Sequence, residues 1–252
     1  MSAAALTVLI ILFFITTVVG VVTGSNSLIT VPVMFQFGID EKVAIGTNMF
    51  GLTFMAIGAT IPFFRAGHIE ARRLTPLILV TIAGSALGAA LVGLFTGGGI
   101  KLMVSAAMIV IVLFTVIRRE PAPEPNAPAT APWQMTTLGI FAAFLLAIYG
   151  GLYSGGYVTV LTAAFVAFLG MTYGGAIAVT KLINVFSSGI ATIVFMWQGL
   201  VDYRLGWILA VTMFAGAYVG AHFAARMNDR LLRAIFLATV LILAIKTLYD
   251  LF

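Results

Sequence analysis

The chain of 252 residues has no cysteine and only two histidines. Without thiols there are no disulfides, no iron-sulfur clusters and no thiolate zinc sites, and two imidazoles are too few for most metal cages, so no cofactor or metal is expected. Charge is scarce as well. Charged residues make up 8% of the chain and hydrophobic ones 62%, whereas a soluble domain carries roughly 25% charged residues. That deficit excludes a cytosolic enzyme, a nucleic-acid binder and a disordered scaffold, and leaves an all-α polytopic membrane protein. The formal net charge of +5 then reads as basic loops on the cytoplasmic face next to membrane lipid, with no nucleic acid implied. No basic residue precedes Lys42, so the apolar stretch from Ala3 to Gly20 lacks the charged start of a signal peptide and is expected to stay in the mature protein.

Proline is concentrated rather than abundant. Five of the eight prolines fall in residues 121–132, PAPEPNAPATAP, which form neither helix nor strand and read as an extended linker. It divides the chain into a first transmembrane repeat at 1–118, a cytoplasmic linker at 119–133 and a second repeat at 134–252. At about 20 apolar residues per spanning helix, the charged clusters mark out three clear spans in each half. These are 43–64, 74–95 and 101–118, then 176–198, 206–225 and 232–250. Two pieces, Leu6 to Gly38 and Met135 to Gly170, are too long for one helix and too short for two complete spans. Each is interrupted near its middle, by Gly24-Ser25-Asn26-Ser27 and by Ser154-Gly155-Gly156.

The halves resemble each other. An offset of 132 residues lays Gly84-Ser85-Ala86-Leu87-Gly88-Ala89 on Gly216-Ala217-Tyr218-Val219-Gly220-Ala221, and also aligns Gly67 with Gly199, Glu70 with Asp202 and Gly38 with Gly170. This predicts a tandem duplication. If each interrupted piece turns back to the side it came from, as a broken or re-entrant helical pair, Lys and Arg divide eight against four across the membrane. A single crossing gives seven against five. The first arrangement obeys the positive-inside rule better and makes the repeats inverted, a common architecture of secondary transporters.

Non-helical backbone inside a membrane must line protein or a water-filled cavity, and half-helix ends there attract anions. The two breaks, Ser25, Asn26 and Ser27 with Ser154, Gly155 and Gly156, are therefore the expected substrate site near the midplane. Lys181 is the one charged residue well inside an expected span. An amine at that depth costs roughly 2.5 to 3.5 kcal/mol on insertion scales, which points to function rather than to snorkelling. Thr180 and Asn184 flank it. In this segment an offset of 133 lays Thr47-Asn48 on Thr180-Lys181, so Asn48 is expected opposite Lys181, amide and ammonium together suiting an oxyanion. The pairs Gly84/Gly88 and Gly216/Gly220 read as helix-contact motifs. Trp197, Tyr203 and Trp207 read as an aromatic belt. Ser154 with His222 would be the residues of an intramembrane serine hydrolase, but Leu152 stands where such a motif needs glycine. A passive anion channel is the other alternative to a transporter.

The interrupted first helix followed by Val31-Pro32, the Ala44-Ile45-Gly46-Thr47-Asn48 segment, Tyr149-Gly150-Gly151 and Val179-Thr180-Lys181-Leu182-Ile183-Asn184 together resemble the TauE/SafE sulfite exporter family, across the chain outside the linker. The resemblance implies a multi-pass protein of the bacterial inner membrane whose substrate is sulfite, a sulfonate or a sulfoacetate-like anion. A homodimer is compatible with it. Where the family commonly carries a run of glycines before Val-Pro, Ser25-Asn26-Ser27 stand here and add side-chain hydrogen-bonding groups.

Overall fold

A computed structural model describes residues 3–24, 26–66, 74–100, 102–104, 106 and 136–227. The linker, Ser25, His68, most of the expected span 101–118 and all of 232–250 lie outside the described residues. Among those described there is no strand. The first half forms α1 (Ala3–Thr23), α2 (Ser27–Gln36), α3 (Glu41–Arg65) and α4 (Thr75–Val92), and a further helical stretch opens at Gly97. The second forms α5 (Thr137–Leu152), α6 (Tyr157–Leu169), α7 (Tyr173–Trp197) and α8 (Tyr203–Ala224). Helices α1, α3, α4, α7 and α8 are long and apolar enough to cross a membrane.

Polar residues set the boundaries. Asp40 accepts hydrogen bonds from the N–H groups of Lys42 (3.0 Å) and Val43 (3.1 Å), while Glu41 in the first turn and Arg65 in the last complement the dipole of α3. Thr172 caps α7 through Gly175 at 3.2 Å, and Asp202 caps α8 through Arg204 at 2.9 Å. The bounds of α3, moved by 132 residues, are those of α7. Backbone geometry keeps the same register. Gly24 opens the first break at φ +68° and Gly156 closes the second at +74°, and Gly38 and Gly170 follow the short helices at φ +76° and +68°. An L side chain rarely tolerates that conformation, so the chain needs glycine at both turns of both halves.

Among the described helices, most packing joins one half to the other. Helix α3 packs on α8, α7 on α4, α4 on α5, α1 on α8, and α3 on α7. Both small-residue motifs serve these contacts. A Cβ on Gly88 would lie 2.0 Å from the carbonyl oxygen of Ile148 in α5, and one on Gly220 would lie 2.4 Å from that of Val18 in α1. Backbone meets backbone at both places, as expected of helices that gain nothing from burying apolar surface out of lipid.

Helices α3 and α7 bury most of their residues, whereas α1, α4 and α8 turn a larger share outward. The central pair runs antiparallel. Thr53 and Thr192 join their hydroxyls at 3.0 Å, whereas Thr60 and Phe64, later in α3, share a groove with Val185 and Leu182, earlier in α7. One end of the bundle is pinned shut. There the Lys42 ammonium donates to the Gly93 carbonyl (3.0 Å), the Gln198 amide to those of Ala89 and Ala90 (3.3 Å each), and the Asp202 N–H to the Thr47 hydroxyl (2.9 Å). At the other end Arg65 and Arg226 border a single cavity. Trp197 is 84% exposed, as a belt residue should be, but Tyr203 and Trp207 also pack edge-on against Phe50 of α3, with Trp207 at 5.2 Å between ring centroids.

Candidate functional site

The two breaks meet in the interior. After Thr23 the chain turns through Gly24, where a Cβ would stand 2.7 Å from the backbone nitrogen of Thr159, so the end of α1 lies directly on the start of α6. Asn26 then caps α2, its carbonyl accepting from the N–H groups of Ile29 (3.0 Å) and Thr30 (3.1 Å). In the second break Tyr153 leaves the helix in an extended conformation (φ −155°, ψ 119°) and Gly156 opens α6.

A hydrogen-bonded chain ties the breaks together. The Ser27 and Ser154 hydroxyls are 2.8 Å apart, Asn48 donates its amide to Ser27 Oγ at 2.9 Å, and Thr30 donates to Asn48 Oδ1 at 2.8 Å. Two tyrosines brace the second break. The Tyr153 hydroxyl donates to the Ser27 carbonyl at 2.9 Å, and the Tyr149 hydroxyl donates to the Gly155 carbonyl. Their rings stand perpendicular, and a Cβ on Gly155 would sit 2.3 Å from the Tyr153 ring, so the ring needs bare backbone beside it.

Between the breaks lies a cavity of about 20 Å³, bordered by Gly20, Asn26, Ser27, Ser154, Lys181 and Asn184 with Leu52, Met55 and Val158 as apolar wall. That volume admits one water-sized sphere, so a polyatomic anion requires it to widen. Lys181 is 3% exposed and directs its amine to the Gly20 carbonyl at 3.4 Å, a long hydrogen bond. Among the described lining residues it is the only charged side chain. Asn26 is 3% exposed, its Nδ2 reaches only the Met55 sulfur at 3.7 Å, and its Oδ1 has no partner among the described residues. Rotating that amide would offer a ligand either a donor or an acceptor.

The structure thus gathers Asn26, Ser27, Ser154, Lys181 and Asn184 around one cavity. Asn48 stands behind it, through Ser27. Gly155 and Gly156 form the turn, Ser25 is outside the described residues, and Thr47 is engaged with Asp202 at the pinned end. Thr180 bonds Thr162 at 3.2 Å, the counterpart of the Thr30–Asn48 bond at an offset of 132, so Asn48 corresponds to Thr180 and not to Lys181. The offset of 133 is corrected accordingly. Ser154 and His222 are not brought together, since His222 borders the cavity of Arg65 and Arg226. Sequence reasoning missed Gly20, Met55 and the tyrosine braces. Gly20, isolated in Val18-Val19-Gly20-Val21-Val22, was the available signal.

The family model for the sulfite exporter TauE/SafE matches residues 8–247. The chain belongs to the TauE/SafE family. Similar proteins include the probable membrane transporter protein ORF9 of a Sinorhizobium species, 27% identical over 237 residues that cover 94% of this chain and 90% of that one. A probable membrane transporter protein of Haemophilus influenzae is 23% identical over 97% of this chain and 95% of its own, and YfcA of Escherichia coli is 24% identical over 95% and 89%. No solved structure matches. This TauE/SafE chain is a multi-pass protein of the inner membrane, from a family of membrane transporters.

Proposed function

We propose that this TauE/SafE protein is a secondary transporter for a small sulfur-containing anion, sulfite, a sulfonate or a sulfoacetate-like molecule, which it carries across the bacterial inner membrane by alternating access. The observation that carries this reading is the cavity itself. Both halves contribute to it, its only described charged side chain is a lysine, and hydroxyls, an amide whose oxygen has no partner among the described residues, and the amino end of α2 border it with that lysine. Donors of this kind complement a tetrahedral or pyramidal oxyanion. Lys181 supplies the charge, Ser27, Ser154, Asn26 and Asn184 the hydrogen bonds, while Asn48, Thr47, Thr180, Gly155 and Gly156 position the elements that hold them.

Inverted repeats are part of the proposal. The antiparallel course of α3 and α7, with Lys42 and Asp202 at one end and Arg65 and Arg226 at the other, supports the eight-to-four division of charge over the seven-to-five one. The basic end is then cytoplasmic, as are the linker at 119–133 and its neighbours, and the repeats run over 1–118 and 134–252. The protein is a carrier rather than an enzyme in this reading: Ser154 shares its hydrogen bond with Ser27, and His222 borders a different cavity.

The test is flux of radiolabelled sulfite into proteoliposomes preloaded with unlabelled sulfite. Saturable uptake accelerated by internal substrate is expected. Linear, unsaturable flux would indicate a channel. A thermal-shift comparison of sulfite, sulfate, thiosulfate, taurine and sulfoacetate then ranks the substrates, since a ligand of the folded state raises apparent stability.

A further inference from the structure

Away from the central cavity, two surface cavities adjoin at the carboxyl end of α3. One, of about 300 Å³, is bordered by Arg65, Tyr218, His222 and Arg226, with no carboxylate among its described lining residues. The other, of about 290 Å³, is a groove between α3 and α7 lined by Ile57, Ile61, Phe64, Leu182 and Val185, and it ends at Arg65. Arg65 belongs to both. It lies in the last turn of a membrane-spanning helix, Phe64 beside it is 58% exposed, and so the groove opens toward hydrocarbon while the basic cavity sits at headgroup depth.

The carboxyl ends of α3 and α8 point their unsatisfied carbonyls the same way as these cations, which makes the end of the bundle favourable to positive side chains. At the pinned end, the equivalent pair of helix ends is treated differently. There Gln198, one residue beyond α7, spans to the carbonyls of α4 and closes the gap. At the Arg65 end no described side chain spans from α3 to α8 in that way, and the gap is a cavity lined by cations. Small soluble ions need no apolar groove beside such a cavity; an amphiphile with an anionic head does.

We propose that this composite site binds an anionic phospholipid, its phosphate held by Arg65 and Arg226 and one acyl chain laid in the groove between α3 and α7. Because that groove is formed by one central helix from each half, the lipid spans the contact between the halves. Tyr218 supplies a hydroxyl to the headgroup region, and Thr60 is the one uncharged polar side chain among the described residues lining the groove.

Native mass spectrometry of the purified full chain, titrated with phosphatidylglycerol, phosphatidylcholine or soluble glycerol phosphate, tests the assignment. Wild-type protein is expected to retain phosphatidylglycerol in preference to phosphatidylcholine. Arg65→Gln and Arg226→Gln should each weaken phosphatidylglycerol by roughly fivefold, following the usual contribution of a basic side chain near an anionic surface. Both residues are exposed, and the pair Arg65→Lys with Arg226→Lys, which keeps the charge, should keep most of the preference. Equal binding of the two lipids would overturn the proposal, as would unchanged binding in the glutamine variants. Glycerol phosphate held as tightly as the lipid would mean a soluble-anion site, and a dimer in place of lipid adducts would mean that a second copy covers the groove.

Discussion

Ser27 and Ser154 place their hydroxyl oxygens 2.8 Å apart across 127 positions of sequence, each at the break in its own half of the chain. The contact makes the two breaks one structure. Ser154→Ala should cost about 1 kcal/mol, and Ser27→Ala more, up to about 3 kcal/mol, because Asn48 then loses its acceptor in a buried place. In denaturation of the detergent-solubilised protein, the double variant should fall short of the summed single costs. Strict additivity would mean that the hydroxyls do not interact.

Lys181→Met keeps the length of the stem and removes the charge. Sulfite affinity in the purified protein should fall by roughly tenfold to a hundredfold, the range that corresponds to losing a hydrogen bond from a charged donor. Lys181→Arg should retain part of the affinity, limited by its different donor geometry. Equilibrium binding of radiolabelled sulfite measures both, with monodispersity as the control for assembly. Unchanged affinity in Lys181→Met would return the anion site to the helix ends alone.

The second break depends on a ring resting against bare backbone. Tyr153→Phe removes the donor to the Ser27 carbonyl and should cost about 1 kcal/mol while leaving the break in place. Gly155→Ala should do more, since its Cβ would stand 2.3 Å from the ring and displace it together with that hydrogen bond. The expected order of sulfite affinity is wild type, then Tyr153→Phe, then Gly155→Ala. The reverse order of the two variants would show that the hydroxyl, not the ring position, matters most.

Much of this fold was legible because its punctuation is chemical. The glycines at 24, 38, 156 and 170 are required by their backbone conformation, so the likeness of the two halves is plain at those positions even where their side chains differ. Residue-level register was less legible. Thr47-Asn48 and Thr180-Lys181 look alike as pairs, and only the hydrogen bonds Thr30–Asn48 and Thr162–Thr180 reveal that Asn48 answers to Thr180. Tyr153 was hidden for another reason. In sequence it reads as one more apolar residue at a helix end, and its role arises from the extended conformation that turns it toward α2.

Gly88→Ala and Gly98→Ala separate close packing from helix propensity. At Gly88 the added carbon would stand 2.0 Å from a backbone oxygen, so α4 and α5 must part and the melting temperature should drop. At Gly98, helical and with nothing within 4 Å of the added carbon, alanine should be neutral or add up to about 1 kcal/mol. Thermal unfolding followed by tryptophan fluorescence distinguishes the two.

A cysteine introduced at Asn126 has no background, since the chain contains none. With the linker in the cytoplasm, an impermeant maleimide should label it in inverted vesicles and leave it untouched in intact cells. Labelling in intact cells would reverse the orientation.

The order in which helices find their partners also sets a schedule for membrane insertion. Gly84 and Gly88 pack on α5, and α1 packs on α8, so two helices of the first half wait for segments translated later. At about 5–20 residues per second, α4 is without its partner for several seconds and α1 for longer still. During that interval a backbone-exposed helix face borders lipid or whatever insertion machinery shelters it. Translation that ended in the linker would release a half-protein whose small-residue face on α4 has no α5 to pack against.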